Sequence, residues 1–103
     1  MANGTLGQAD LAAATDTTVY TVPASLTATV NVSMVNEGTT TAAVRLAVAA
    51  AGTPTTAEYL EYDAILGVGD VLERTGVVIS TGKNVVARSS IADIAVNVHG
   101  YEA

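Results

Sequence analysis

The sequence predicts an all-β chain, an antiparallel β-sandwich of seven or eight short strands, and three observations lead there. Ala, Val and Thr supply 49 of 103 residues, and β-branched side chains pack well on a pleated surface while losing rotamers in helices. Several segments alternate apolar and polar residues with period two. Turn signals built on Gly, Pro, Asn and Asp separate those segments at short intervals. With 103 residues the chain is one domain, residues 1–103, because two cores cut from it would each be too small to hold.

The first 16 residues read as an N-terminal arm or an edge strand, with Leu6 to Leu11 the strand candidate. Thr17 to Val22 is β-branched and stops at Pro23, which removes a ladder donor. Leu26 to Met34 gives the clearest alternation: Leu26, Ala28, Val30, Val32 and Met34 against Thr27, Thr29, Asn31 and Ser33. Asn36-Glu37-Gly38 reads as a tight turn. Ala43 to Ala50 follows, with Val44, Leu46 and Val48 inward and Arg45 outward. Ala51 to Thr56 is a loop by composition, and a single turn then runs into a strand at Leu60 to Ala64. Gly67 to Asp70 turns the chain into Val71–Thr75 and then Val77–Ser80. Thr81 to Asn84 leads to Val85–Arg88, and Ile94 to Tyr101 closes the set. Jelly-roll and immunoglobulin-like connectivity both fit this spacing.

Composition removes several functional classes. Ten acidic against four basic residues give a net charge of −6, leaving no basic footprint for nucleic acid or anionic lipid. Cysteine is absent, so disulfide frameworks, thiol chemistry and cysteine-based zinc sites are excluded. No apolar run is long enough to span a membrane, and the start, Met1-Ala2-Asn3-Gly4, lacks a signal-peptide pattern. Synthesis in the cytoplasm is the expectation.

No constellation for catalysis emerges, and the expectation is not an enzyme, with no catalytic, cofactor-binding or metal-ligating residue assigned. His99 alternates to the face opposite Ile94, Val96 and Val98, with no orienting partner near it in sequence. Glu58, Glu61, Asp63, Asp70 and Glu73 lack calcium-loop spacing and read as a solvated acidic face. Gly67-Val-Gly69 is a turn rather than a dinucleotide loop. A sugar-stacking platform is disfavoured because Tyr59 and Tyr62, three apart, fall on opposite faces of a regular strand.

A core of Val, Ala, Leu and Ile without Phe or Trp gains less from burial per residue, while ordering entropy stays the same. The expectation is a homo-oligomer, with outward Ala47, Ala49 and Ala95 suiting close sheet contact between copies. Ala2 to Ala14 and Ala51 to Thr56 are the segments expected to make inter-subunit contacts.

Thr17-Thr-Val-Tyr-Thr-Val-Pro-Ala24, the strand ending at Asn36, the Glu37-Gly38 turn and Ala42-Ala-Val-Arg-Leu-Ala47 together resemble small virion proteins of tailed bacteriophages, including those of cyanobacteria. Glu61-Tyr-Asp63, Val71-Leu-Glu-Arg-Thr-Gly76, Ser80-Thr-Gly-Lys83 and Val85-Val-Ala-Arg-Ser89 look like the second half of the same pattern. The likeness spans roughly residues 5 to 102. It implies a β-sandwich structural subunit of the virion, with no catalytic residues to carry over. The favoured member of that group is a capsid decoration or cement protein, bound to the major capsid protein on the outer head. A neck, tail, baseplate or fibre component is the alternative, as is a glycan-binding adhesion module.

Overall fold

The computed structural model describes residues 2–103 and consists of eight strands with one 3-10 helical turn. The strands are β1 (Asn3–Leu11), β2 (Thr17–Thr21), β3 (Ala28–Asn36), β4 (Ala42–Ala49), β5 (Tyr59–Leu66), β6 (Val71–Ile79), β7 (Asn84–Ser89) and β8 (Ile94–Glu102), the turn at Thr56–Glu58 preceding β5. They form two antiparallel four-stranded sheets, ordered β1-β8-β3-β6 and β2-β7-β4-β5. The two faces pack as a sandwich. This order is that of a jelly roll: a long hairpin with β1 against β8, β2 against β7, β3 against β6 and β4 against β5, rolled until β8 meets β3 and β7 meets β4. An immunoglobulin constant-type arrangement would divide the strands four and three. Of the two connectivities the sequence allows, the jelly roll is the one formed.

Period-two alternation decides which side of each strand enters the core. On β3, Ala28, Val30, Val32 and Met34 are buried and Thr29, Asn31, Ser33 and Val35 lie half-buried on the other face. Ile94, Val96 and Val98 of β8 join them, facing Val44 and Leu46 of β4 and Val85 and Ala87 of β7 across the interior. Val48 packs against this cluster at its margin, so the inward set Val44, Leu46 and Val48 holds. The absent large aromatics are replaced by many close-packed small side chains, and Tyr20 is the single buried ring.

Four strands lie at sheet edges, and each is irregular. β1 carries an extra residue at Leu6, β2 at Val19, β5 at Leu60 and again at Tyr62–Asp63, and β6 at Thr75–Gly76. The inner ladders, β3 with β8 and β4 with β7, run without a shift. Bulges twist an edge and break the row of unpaired N–H and C=O groups that would template another strand. The bulge in β6 also joins two segments that the sequence reads as separate, Val71–Thr75 and Val77–Ser80. Gly76, at φ 65°, takes the left-handed position, and its N–H donates to Asn31 Oδ1 at 3.0 Å.

The sandwich closes differently on its two sides. At the β1–β2 side, Gly7 lies so close to Val19 that a Cβ there would stand 2.3 Å from the Val19 carbonyl oxygen. At the β5–β6 side Arg74 spans the gap, its Nε 2.8 Å from Glu61 Oε2 and its Nη2 donating to the Leu60 carbonyl at 2.8 Å.

Residues 3–11 form β1, paired with β8 along its length, so the first segment is an edge strand and not a free arm. Asn36, expected in a turn, ends β3 and is buried. Its Nδ2 donates to the Thr40 and Leu66 carbonyls, and its Oδ1 accepts from Gly38 N–H at 2.9 Å. A buried amide is stable there because its donors and acceptor are matched.

Candidate functional site

The outer face of the β2-β7-β4-β5 sheet brings together Arg45, Arg88, Asp63, Tyr59 and Tyr62. Arg45 on β4 stands directly opposite Arg88 on β7. Like charges at opposed positions destabilise a sheet unless each is compensated. Arg45 is compensated doubly. Its Nε donates to Asp63 Oδ1 at 2.7 Å and its Nη2 to Oδ2 at 3.3 Å, while its guanidinium carbon sits 4.1 Å from the centre of the Tyr62 ring. Hydrogen bonding from Arg45 holds the Asp63 carboxyl below the usual carboxylate range, and Asp63 in turn raises Arg45.

The bulge in β5 produces this arrangement. Val44 pairs with Ala64 and Leu46 with Glu61, so Tyr62 and Asp63 together occupy the place opposite Arg45. Asp63 adopts φ 52°, a left-handed conformation that Asp tolerates. The same irregularities overturn the expectation that Tyr59 and Tyr62 lie on opposite faces. Their ring centroids are 4.9 Å apart at an interplanar angle of 81°, an edge-to-face pair on one face. An Asp in an apolar-alternating stretch beside Tyr was the only sequence signal for such a bulge.

Arg88 is left less satisfied. Its Nη1 is 3.8 Å from Asp16 Oδ1, too long for a hydrogen bond, and that buried oxygen has no hydrogen-bond partner among the described residues. Arg45, Asp63 and Arg88, with Ala14, Ala43, Ser89 and Ser90, line a pocket of about 310 Å³. Its wall includes the crossover from β1 to β2, where Ala14 N–H donates to the Ser89 carbonyl at 2.8 Å. The Ser89 side chain is buried and accepts from Ile91 N–H. Ser90 Oγ accepts from Ala43 N–H, which leaves its own proton free to donate.

The exposed apolar side chains cluster at the β5–β6 edges, with β5 contributing to one outer face and β6 to the other. Of the six large apolar side chains that are most exposed, five sit there: Tyr62 and Ile65 on β5, Val68 in the connecting turn, and Val71 and Val78 on β6. Ile65 is 74 % exposed and Val78 73 %. The acids anticipated as a solvated face fall on the same stretch, though most are engaged. Glu58 accepts from Ala50 and Thr55 N–H, which lowers its pKa; Glu61 holds Arg74, Asp63 holds Arg45, and Asp70 accepts from Gly67 N–H. Glu73 has no ion pair among the described residues.

The two segments expected to reach other subunits stay largely exposed: residues 51–56 are exposed apart from Pro54, and β1 leaves Asn3, Gly4, Thr5, Gln8 and Asp10 exposed. After β4 the loop passes near β2, where a Cβ at Gly52 would stand 3.7 Å from the Thr18 hydroxyl. Ala47, Ala49 and Val86 on the outer face of that sheet are buried, so Ala47 and Ala49 are not free for contact between copies. Ala95 stays half-buried on the other outer face, as does Asn97, while His99 is exposed there. His99 opposes Asn31 and Thr5 in the ladders.

A third feature joins the chain's two ends. Tyr20 donates its hydroxyl proton to the buried Glu102 carboxylate, which also accepts from Ala2 N–H at 2.9 Å. Burial and the neighbouring carboxylate push the Tyr20 hydroxyl well above its ordinary value, and the two hydrogen bonds hold Glu102 below its own.

Comparison with protein-family models, with curated proteins and with solved structures finds no match to this chain.

Proposed function

We propose that this protein is a structural component of a tailed-bacteriophage virion, a decoration or cement protein that sits on the outer head and bridges major capsid subunits. The observation carrying the reading is the outer face of β6 and the turn before it, where Val68 and Val71 are exposed beside the carboxylates Asp70 and Glu73, with Val78 farther along the same face. Exposed apolar side chains concentrated on one side of a small domain mark an interaction site. A partner that fits offers apolar side chains flanked by cations. A second copy of this chain fits poorly at that side, since it would bring acid against acid in a molecule of net charge −6.

The resemblance in Thr17–Ala24 and Ala42–Ala47 supports a phage particle as the setting, and the jelly roll supports it by analogy, being a fold that viral shell proteins use. Edge bulges support it too, because a protein present in many copies at high local density must not pair its strands at random. Attachment rests on many modest contacts. About 800 Å² per partner suffices for each, and bridging two subunits makes the second contact intramolecular. Self-association into a homo-oligomer uses surfaces other than the β5–β6 side.

The test is cryo-electron microscopy of intact virions, backed by immunogold labelling. Density for this domain on the outer shell, with β5–β6 against the major capsid protein, is expected. Its absence from purified particles overturns the assignment, and density at the neck, tail, baseplate or fibre replaces the decoration role with one there.

A further inference from the structure

The pocket between β4 and β7 is chemically two-sided. On one side stands Arg88, whose guanidinium makes no hydrogen bond among the described residues, its one charged neighbour being Asp16 at 3.8 Å. On the other stands Asp63, whose charge is already balanced by a bidentate contact from Arg45 but whose oxygens retain lone pairs. Ser90 adds a hydroxyl donor, and Ala14 and Ala43 complete the lining. Two of the chain's four basic residues meet here, side by side, in a molecule with ten acids. Cross-strand arginines are a cost to the sheet, and the underused partner is the one that faces the pocket.

We propose that this pocket binds an acidic sugar, a uronic-acid-type ring whose carboxylate meets Arg88 and whose hydroxyls meet Asp63 and Ser90. The planar guanidinium fork matches a carboxylate. A charge-balanced carboxylate such as Asp63 accepts from neutral hydroxyls, which a sugar ring supplies and a simple carboxylate does not. Ala14 and Ala43 supply the apolar part of the lining, against which the C–H face of a pyranose ring would lie. The volume of about 310 Å³ is at the small end of ligand pockets, in keeping with one sugar ring rather than a chain of them. This inference is independent of where in a particle the protein sits, since it concerns the opposite side of β4 from the core and not the β5–β6 apolar residues.

The experiment is a ¹⁵N-resolved NMR titration of the full chain with sodium D-glucuronate, D-glucose and sodium acetate, each to about 50 mM, a range that reads millimolar affinity. Glucuronate is expected to shift the amide signals of residues 43–45, 62–64 and 88–90 together, saturably. Glucose and acetate are each expected to bind at least about tenfold more weakly, the loss of a charge-assisted hydrogen-bond pair or of the ring contacts. Arg88→Gln should abolish the effect, and Arg88→Lys, which keeps the charge without the fork, should weaken it about threefold or more and serves if the Gln variant does not fold. No saturable shift with glucuronate overturns the proposal. So does equal binding of glucose, which removes the role of the carboxylate, or equal binding of acetate, which reduces the site to a simple anion pocket. Undiminished binding by both Arg88 variants overturns it as well.

Discussion

Gly7→Ala tests how the sandwich is sealed. At this position a methyl group would lie 2.3 Å from the Val19 carbonyl oxygen and 3.1 Å from its carbonyl carbon. Ordinary contact is about 3.4 Å or more, so β1 and β2 must part by roughly 1 Å, and both obstacles are backbone that no rotamer change can move aside. Overpacking of this kind costs typically 1–3 kcal/mol, and an immovable neighbour puts the expected loss at about 2–3 kcal/mol. For a domain of this size that lowers Tm by roughly 8–24 °C. Gly52→Ala is the matched control. The nearest atom to its new methyl is the Thr18 hydroxyl at 3.7 Å, an ordinary contact, and its φ is not in the left-handed region. Removing a glycine there restricts the unfolded chain and should stabilise by about 0.4–1 kcal/mol. Urea and thermal unfolding of the two variants measure the contrast. A Gly7→Ala protein within about 0.5 kcal/mol of wild type would refute the backbone seam between β1 and β2.

Three other outcomes follow from the packing and the charges. Met34→Ala, at a fully buried site, should lose about 2–5 kcal/mol through the cavity it leaves, read by urea unfolding with an unchanged m-value. Glu102, held below its ordinary pKa, contributes stability that is full above about pH 4.3 and is lost as pH falls through its folded value; Tyr20, raised above its ordinary value, contributes stability that is full below about pH 10 and is lost as pH rises further. A Tm–pH profile should therefore fall at both ends, and Glu102→Gln should flatten the acid limb attributable to this pair while Tyr20→Phe removes its alkaline limb. At the β5 bulge, thermal melting should rank wild type above Asp63→Asn above Asp63→Ala, because Asn tolerates φ 52° and keeps one acceptor while Ala loses both pairing and conformation.

The strands were legible because their burial is simple. Leu26 to Met34 and Ile94 to Tyr101 alternate without interruption, and both became central strands in unshifted ladders. Edge strands were harder, for a physical reason: a bulge inserts one residue and reverses the alternation after it. That is how Tyr62 came to share a face with Tyr59, and why β6 looked like two segments on either side of Gly76. Ala47 and Ala49 show a different limit. Their outward register was readable, but their burial on that outer face depends on tertiary neighbours and has no local signature. The Arg45–Arg88 pairing was hidden for the same reason, since β4 and β7 are distant in sequence.

The nested pairing of the jelly roll has one more consequence. Every ladder in the molecule joins a strand from the first four to a strand from the last four: β1 and β3 to β8, β3 to β6, β2 and β4 to β7, and β4 to β5. Among the described residues neither half holds a native strand pair of its own, so a chain cut in the loop before Thr56 yields two fragments with no native sheet to form alone. Mixed together, they recover every ladder, and the covalent link at that loop supplies only proximity. The protein is thus built as two interlocking combs, each of which finds its native strand partners only in the other.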